Sequence, residues 1–254
     1  MKVTVCLKRV PSTTTRLKIA ADGRSIDESG VEFVLNPYDE FAIEEALRIT
    51  EKATAAGNPS EVTLVSYGPE AVTKELRNAL AMGAHQAIHL PADASFKDAL
   101  ATAKILAPAI QATAPDLVLM GRQAIDGDQG QVGLMVATLL GYSALPDVVK
   151  VEMGNGSLRA QREVEGALET SELPLPCVLT TQKGLNEPRL PNMKGILAAK
   201  KKTITPQPAG PAAATLTLEA LELPAERAAG KIVGEGAVAV PALLKLLRDE
   251  AHAL

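Results

Sequence analysis

The sequence predicts an α/β protein: an open, doubly wound, mostly parallel sheet with a β-rich second half and an extended C-terminal tail. Three observations predict it. Short apolar, β-rich runs alternate with helical patterns of roughly 12–18 residues, which implies parallel β-α-β units with right-handed crossovers. After residue 145 the texture becomes that of hairpins. Beyond residue 204 a Pro/Ala/Gly-rich stretch separates a terminal segment that cannot bury a core by itself.

The elements follow in order. KVTVCLK (2–8) reads as a buried strand and VEFVL (31–35) as a second one. Asn36-Pro37 opens a helix in which Phe41, Ile43, Ala46, Leu47 and Ile49 share a face. Glu40, Glu44, Glu45 and Arg48 lie opposite, where a solvated surface is expected. Gly57-Asn58-Pro59 ends that helix. EVTLVSYG (61–68) is a strand, residues 70–84 a helix, and QAIHL (86–90) a short strand. Residues 96–113 are helical in pattern, with a bend or break expected at Pro108. DLVLMG (116–121) is a strand and QVGLMVATLLG (131–141) a helix ended by Gly141. A hairpin turns at Gly154-Asn155-Gly156, and PCVLTTQ (176–182) is a strand. Residues 183–202 read as a loop ending in Lys200-Lys201-Lys202. The organisation expected is one α/β domain over 1–204, a linker over 205–215 and an arm over 216–254 closed by an amphipathic helix.

Composition excludes several functions. The chain has 254 residues, 26 Lys+Arg against 30 Asp+Glu, and a net charge of −4. That balance argues against a bulk nucleic-acid binder, as does an aromatic content of 2%. No apolar run approaches the ~20 residues that cross a bilayer, and no leader is expected at the N-terminus. Cys6 and Cys177 form neither a CxxC pair nor a disulfide framework, so a reducing cytoplasm is expected and a zinc site is not. Catalytic motifs are missing too. A catalytic histidine would be His85, His89 or His252; the first two are expected at a strand edge or surface. Cys6 reads either as a small core residue or as the lining of a crevice at its strand's end.

GRQAIDGDQGQVG (121–133) stands apart. It joins a strand to a helix and holds four glycines. Ligands of open α/β sheets bind beyond the strand carboxyl ends, where glycines admit a phosphate and helix N–H groups face it. NPYD (36–39) and SYG (66–68) meet it at the same edge. An adenine nucleotide fits that crevice, with its base against backbone groups and its phosphate at the 121–133 loop.

NPYDEFAIEEAL (36–47), LAMGA (80–84), GRQAIDGDQGQVG (121–133), REVEGALET (162–170) and GLNEPRLPNMKGILAAKKK (184–202) together resemble the β (small) subunit of electron transfer flavoproteins. The resemblance implies a heterodimer without bond-making catalysis of its own. It takes electrons from acyl-CoA and related dehydrogenases, as in fatty acid oxidation, and passes them to a membrane quinone oxidoreductase. FAD is held mainly by the α subunit, on which the 216–254 arm docks; Tyr38 and the loop around Thr13 would touch that flavin. The β subunit holds a structural AMP, replaced by a second FAD in the electron-bifurcating branch. Carried over by motif, the nucleotide site comprises Cys6; Asn36, Pro37, Tyr38 and Asp39; Val65, Ser66 and Tyr67; and Gly121, Arg122, Gln123, Ala124, Ile125, Asp126, Gly127, Asp128, Gln129, Gly130, Gln131 and Val132. Gln129 and Gly130 depart from the bifurcating pattern and favour AMP. The dehydrogenase-docking anchor falls on Met193 by ungapped count, or on Leu190 by its Leu-Pro pair. The rival reading is a free-standing adenine-nucleotide sensor or hydrolase.

Overall fold

The computed structural model describes residues 1–92, 98–225 and 229–254. The elements run β1 (Lys2–Cys6), β2 (Arg9–Pro11), β3 (Phe33–Leu35), α1 (Pro37–Ala55), β4 (Glu61–Gly68), α2 (Thr73–Met82), β5 (Gln86–Pro91), α3 (Ala99–Ala112), β6 (Leu117–Gly121) and α4 (Val132–Leu140). Then follow β7 (Ser143–Met153), β8 (Ser157–Val164), β9 (Ala167–Pro174), β10 (Cys177–Thr181), α5 (Met193–Ala199), β11 (Ile204–Pro206) and α6 (Val240–Asp249).

Among the described residues, nine strands form one sheet in the order β11-β5-β4-β1-β6-β10-β7-β8-β9. The pairings from β11 to β7 are parallel; β7-β8 and β8-β9 are antiparallel. From β1 the chain first builds outward through β4 and β5, then returns to lay β6 on the other side of β1. That reversal opens a crevice at the carboxyl ends of β1 and β6. Alternation along the central strands sends Val3, Val5, Leu117 and Leu119 into one core with Ile43 and Leu47 of α1 and Leu76 and Leu80 of α2. Cys6, Val118, Met120 and Val178 go into a second core with Leu106 and Ile110 of α3 and Val136 of α4. Among the described residues no helix is long and apolar enough to cross a membrane.

The large, mostly parallel sheet matches the sequence reading; several local expectations do not. The strand expected at 31–35 pairs with β2 in a separate two-stranded ribbon. α3 is not interrupted at Pro108. Pro108 and Lys104, whose carbonyl loses its helical partner, are both exposed, so the missing bond falls on the solvent side of the helix. Phe96 and Lys97, read as the start of this helix, lie outside the described residues. β9 was not anticipated, because only Leu173 of its side chains is buried and no clean alternation marks it. His89 is buried rather than superficial, its Nε2 3.0 Å from the Gly68 carbonyl. His85 accepts the Val62 N–H at Nδ1.

The largest correction concerns α1. Glu44 and Glu45 are not solvated; Glu44 is only 3% exposed. The segment 183–202 lies over this polar face, and it is not all loop. Asn192 caps α5 by accepting the Gly195 N–H at 2.8 Å, and α5 packs on α2. Seven residues are too few for a helical period to declare itself in sequence. The stretch expected as a linker is likewise engaged. β11 pairs with β5, Ala209 and Ala212 pack on the second core, and Asp98 accepts hydrogen bonds from the Thr215 N–H and hydroxyl and the Leu216 N–H. The chain divides instead into Met1–Ala220 and Leu221–Leu254. The second unit carries α6, whose Leu243 and Leu244 are exposed.

Gly195 allows α5 to sit on α2, since a Cβ there would collide with the Ala81 carbonyl oxygen. Gly195→Ala should therefore lower stability by about 1–3 kcal/mol through overpacking. Urea titration of the two proteins measures this, and an unchanged midpoint would show that α5 can lift away freely.

Candidate functional site

A cavity of about 490 Å³ opens at the β1/β6 crevice. Its floor is the carboxyl ends of three parallel strands, at Cys6-Leu7, Tyr67-Gly68 and Met120-Gly121. One wall is Gly121–Gly133 with the exception of Ile125, and the other includes Ala99, Thr102 and Leu106 of α3. The first turn of α4 contributes Gln131, Val132 and Gly133. Among the described residues no side chain caps that turn, and its N–H groups have no acceptor within the helix.

The two halves of the crevice are tied by buried polar groups rather than by packing alone. Asp39, in the first turn of α1, accepts the Lys8 N–H at 2.7 Å on one carboxylate oxygen and the Gly121 N–H at 3.0 Å on the other. A Cβ at Gly121 would strike that carboxylate and lie 2.8 Å from Tyr38 Cβ, so only glycine fits. Asn36 donates from Nδ2 to the Gln123 carbonyl at 2.9 Å and accepts the Ile125 N–H at 3.2 Å. Gln123 in turn donates to Asp128 at 2.8 Å, closing the loop on itself. Gly127 carries no such constraint, since a Cβ there would meet open space. Gly130, at φ +62°, needs the left-handed conformation that glycine adopts freely.

Among the described residues, each cation on the cavity wall faces an acid. Lys8 Nζ holds both carboxylate oxygens of Asp126, at 2.8 and 2.7 Å. Arg122 lies 3.4 Å from Asp147 and 5.9 Å from the centre of the Tyr38 ring. Arg9 stacks 3.4 Å over Phe33 and lies 3.8 Å from the buried Glu75. Burial, reinforced by the Asp39 carboxylate, holds the Cys6 thiol far above its usual pKa, so the thiol stays protonated. Burial also pushes Asp39 up to about 7, against the hydrogen bonds that favour its ionised form.

Fifteen of the residues expected at the site line this cavity: Cys6, Asn36, Asp39, Tyr67, Gly121 to Ala124 and Asp126 to Val132. Cys6 is at once a core residue and a lining residue. Five expected residues do not line it. Val65 and Ser66 are buried within β4, the Ser66 hydroxyl donating to the Leu7 carbonyl. Pro37 is exposed at the start of α1, and Tyr38 lies beside Arg122. Ile125 meets the site only through its N–H on Asn36. Lys8, Arg9 and Thr102 line the cavity and were not anticipated, although Lys8 and Arg9 lie within three residues of the end of β1, at the edge where ligands are expected. The two docking candidates sit elsewhere, on the 183–202 segment. Leu190 is 89% and Met193 73% exposed, and Met193 is the first residue of α5.

A cavity at the switch point of a doubly wound sheet defines an α/β protein of the class that binds ligands at strand carboxyl ends. The family model described as the electron transfer flavoprotein domain matches residues 24–212. The chain is 36% identical over 254 residues to the electron transfer flavoprotein subunit beta of Bradyrhizobium diazoefficiens, covering 100% of both chains. It is 36% identical over 267 residues to that of Bacillus subtilis, again covering 100% of both. It is 36% identical over 258 residues to the mitochondrial subunit beta of Arabidopsis thaliana, covering 99% of both. The chain belongs to the electron transfer flavoprotein family, in its β-subunit branch.

Asp39 supplies a pH dependence of known sign. Its ordinary pKa of 3.8 is raised to about 7 in the folded chain, so between those values the folded protein holds a proton that the unfolded chain has lost. Stability from this group is complete below pH 3.8 and is lost as pH rises through 7, at up to about 1.4 kcal/mol per unit. Urea unfolding between pH 4 and 8 should show that slope in the native chain and not in Asp39→Asn. Parallel profiles would mean that Asp39 is ionised throughout, held so by the Lys8 and Gly121 N–H groups.

Proposed function

We propose that this chain is the small subunit of a heterodimeric electron transfer flavoprotein. It carries electrons from acyl-CoA and related dehydrogenases toward a membrane quinone oxidoreductase, and it makes no bonds itself. The observation that supports this reading best is the cavity walled by Gly121–Gly133, within a chain of this family. Membership in the family displaces the sensor or hydrolase alternative.

The residues present suit AMP. The cavity volume lies within the range of small-molecule sites. Gly121 keeps the strand end open, and the uncapped first turn of α4 offers N–H groups and a positive dipole end to one phosphate. Asn36 and Asp39 shape the loop from behind. Lys8 and Arg122 are already paired with acids, which suits a singly phosphorylated ligand better than the pyrophosphate of a second FAD. The AMP is structural: bound between β1, β6 and α4, it braces the loop. FAD supplies the redox chemistry and is held mainly by the α subunit, with Tyr38 as this chain's approach to it. The unit Leu221–Leu254 serves as the arm that docks on the α subunit through α6. Leu190 and Met193 present the apolar anchor to the dehydrogenase, with Lys202 bracing their segment. The two buried, unpaired cysteines fit a cytoplasmic setting.

Denaturing the purified heterodimer should release FAD and AMP in equal amounts. Gly121→Ala should release the FAD but little AMP, with the mutant loop displaced from Asp39. Two flavins and no AMP would make this a bifurcating member and overturn the AMP reading.

A further inference from the structure

The 183–202 segment is fastened at both ends. At its exit, Lys202 Nζ donates to the carbonyls of Leu80, Gly83 and Ala84, at 2.9, 3.3 and 2.6 Å, closing the end of α2. Arg77 reaches back to the carbonyls of Ala199 and Lys202. At its entry, Asn186 Nδ2 donates to the Phe41 carbonyl and to Glu45, each at 3.0 Å. Arg189 then spreads over two turns of α1. Its Nε and Nη2 donate to the two oxygens of Glu44 at 2.8 and 3.1 Å, and its Nη1 and Nη2 donate to those of Glu51. The Arg189 N–H adds a further bond to Glu44 at 3.1 Å. Burial works against the charge on Glu44, but Arg189 and Arg48 outweigh it and hold the carboxyl below its usual range.

Only Leu190 and Pro191 separate this clamp from Asn192, the cap of α5. Leu190 and Met193 therefore project from a stretch held on one side by a bidentate guanidinium and on the other by a helix cap. Leu197, one turn beyond Met193, is 57% exposed and extends the apolar row. A surface that must hold several exposed apolar side chains toward a partner gains affinity when they are ordered before binding.

We propose that Arg189, seated on Glu44 and Glu51, is the positioning residue of the docking segment. It sets the direction of Leu190 and Met193 and acts on the dehydrogenase only through them. This rests on the docking reading above. Lysine cannot replace it, since a single ammonium cannot fork to both carboxylates.

The test uses the complete heterodimer with a cognate acyl-CoA dehydrogenase. Arg189→Met should raise KM for the heterodimer about tenfold, the scale of losing an ordered anchor, with kcat and the flavin spectrum unchanged. Amide exchange over residues 188–199 should accelerate. Arg189→Lys should restore little of either. Glu51→Gln, at an exposed carboxylate, keeps the Glu44 contacts and should give a smaller change in the same direction; it serves if Arg189→Met assembles poorly. Met193→Ala and Leu190→Ala should raise KM without faster exchange. Unchanged KM in Arg189→Met and Glu51→Gln, beside a raised KM in Met193→Ala or Leu190→Ala, overturns this inference alone. Unchanged KM in all of them overturns the docking reading, and this inference with it. A fall in kcat rather than a rise in KM would place Arg189 in electron transfer and not in positioning.

Discussion

The carboxylate of Asp39 holds the crevice together. The reversal of strand order at β1 leaves Lys8, two residues past the end of β1, and Gly121, the last residue of β6, outside the ladder that pairs the two strands. Both present N–H groups at the place where the sheet opens. Asp39 accepts one on each oxygen, from a helix whose first turn favours negative charge. Everything at the site is referred to that bridge. Gly121 has no room for a side chain because the bridge is there. Asn36, one helical turn before Asp39, fixes the following loop by the same device, a side-chain amide satisfying backbone groups that the sheet cannot reach.

α1 consequently serves two surfaces at once. Its N-terminus builds the crevice, while its middle carries the buried glutamates that seat the 183–202 segment. Burying carboxylates is costly unless they are paired, and here Arg189, Arg48 and Asn186 do the pairing. Glu45 accepts a hydrogen bond from the Asn186 amide, and burial raises its pKa against that bond and the nearby Arg48 charge. A polar face on an amphipathic helix is therefore not evidence of solvent when another segment brings complementary charge to it.

Sequence periodicity and punctuation were enough for much of this. A buried parallel strand such as LVLMG is apolar on both faces, and glycines close α2 and α4; both signals are local and survive without coordinates. The glycine-rich run 121–133 announced the crevice for the same reason, since its glycines and its place between strand and helix are written along the chain. What the sequence by itself determined, then, was the alternation of elements, the carboxyl edge at which they open, and the family. The tertiary structure alone decided which polar residues are buried and with what. Glu44 meets Arg189 across 145 residues, Asp98 meets Thr215 across 117, and Asp39 meets Gly121 across 82. Charge pairing has no period along a chain, and its strength depends on distance and on exclusion of water, quantities that exist only once the chain has folded.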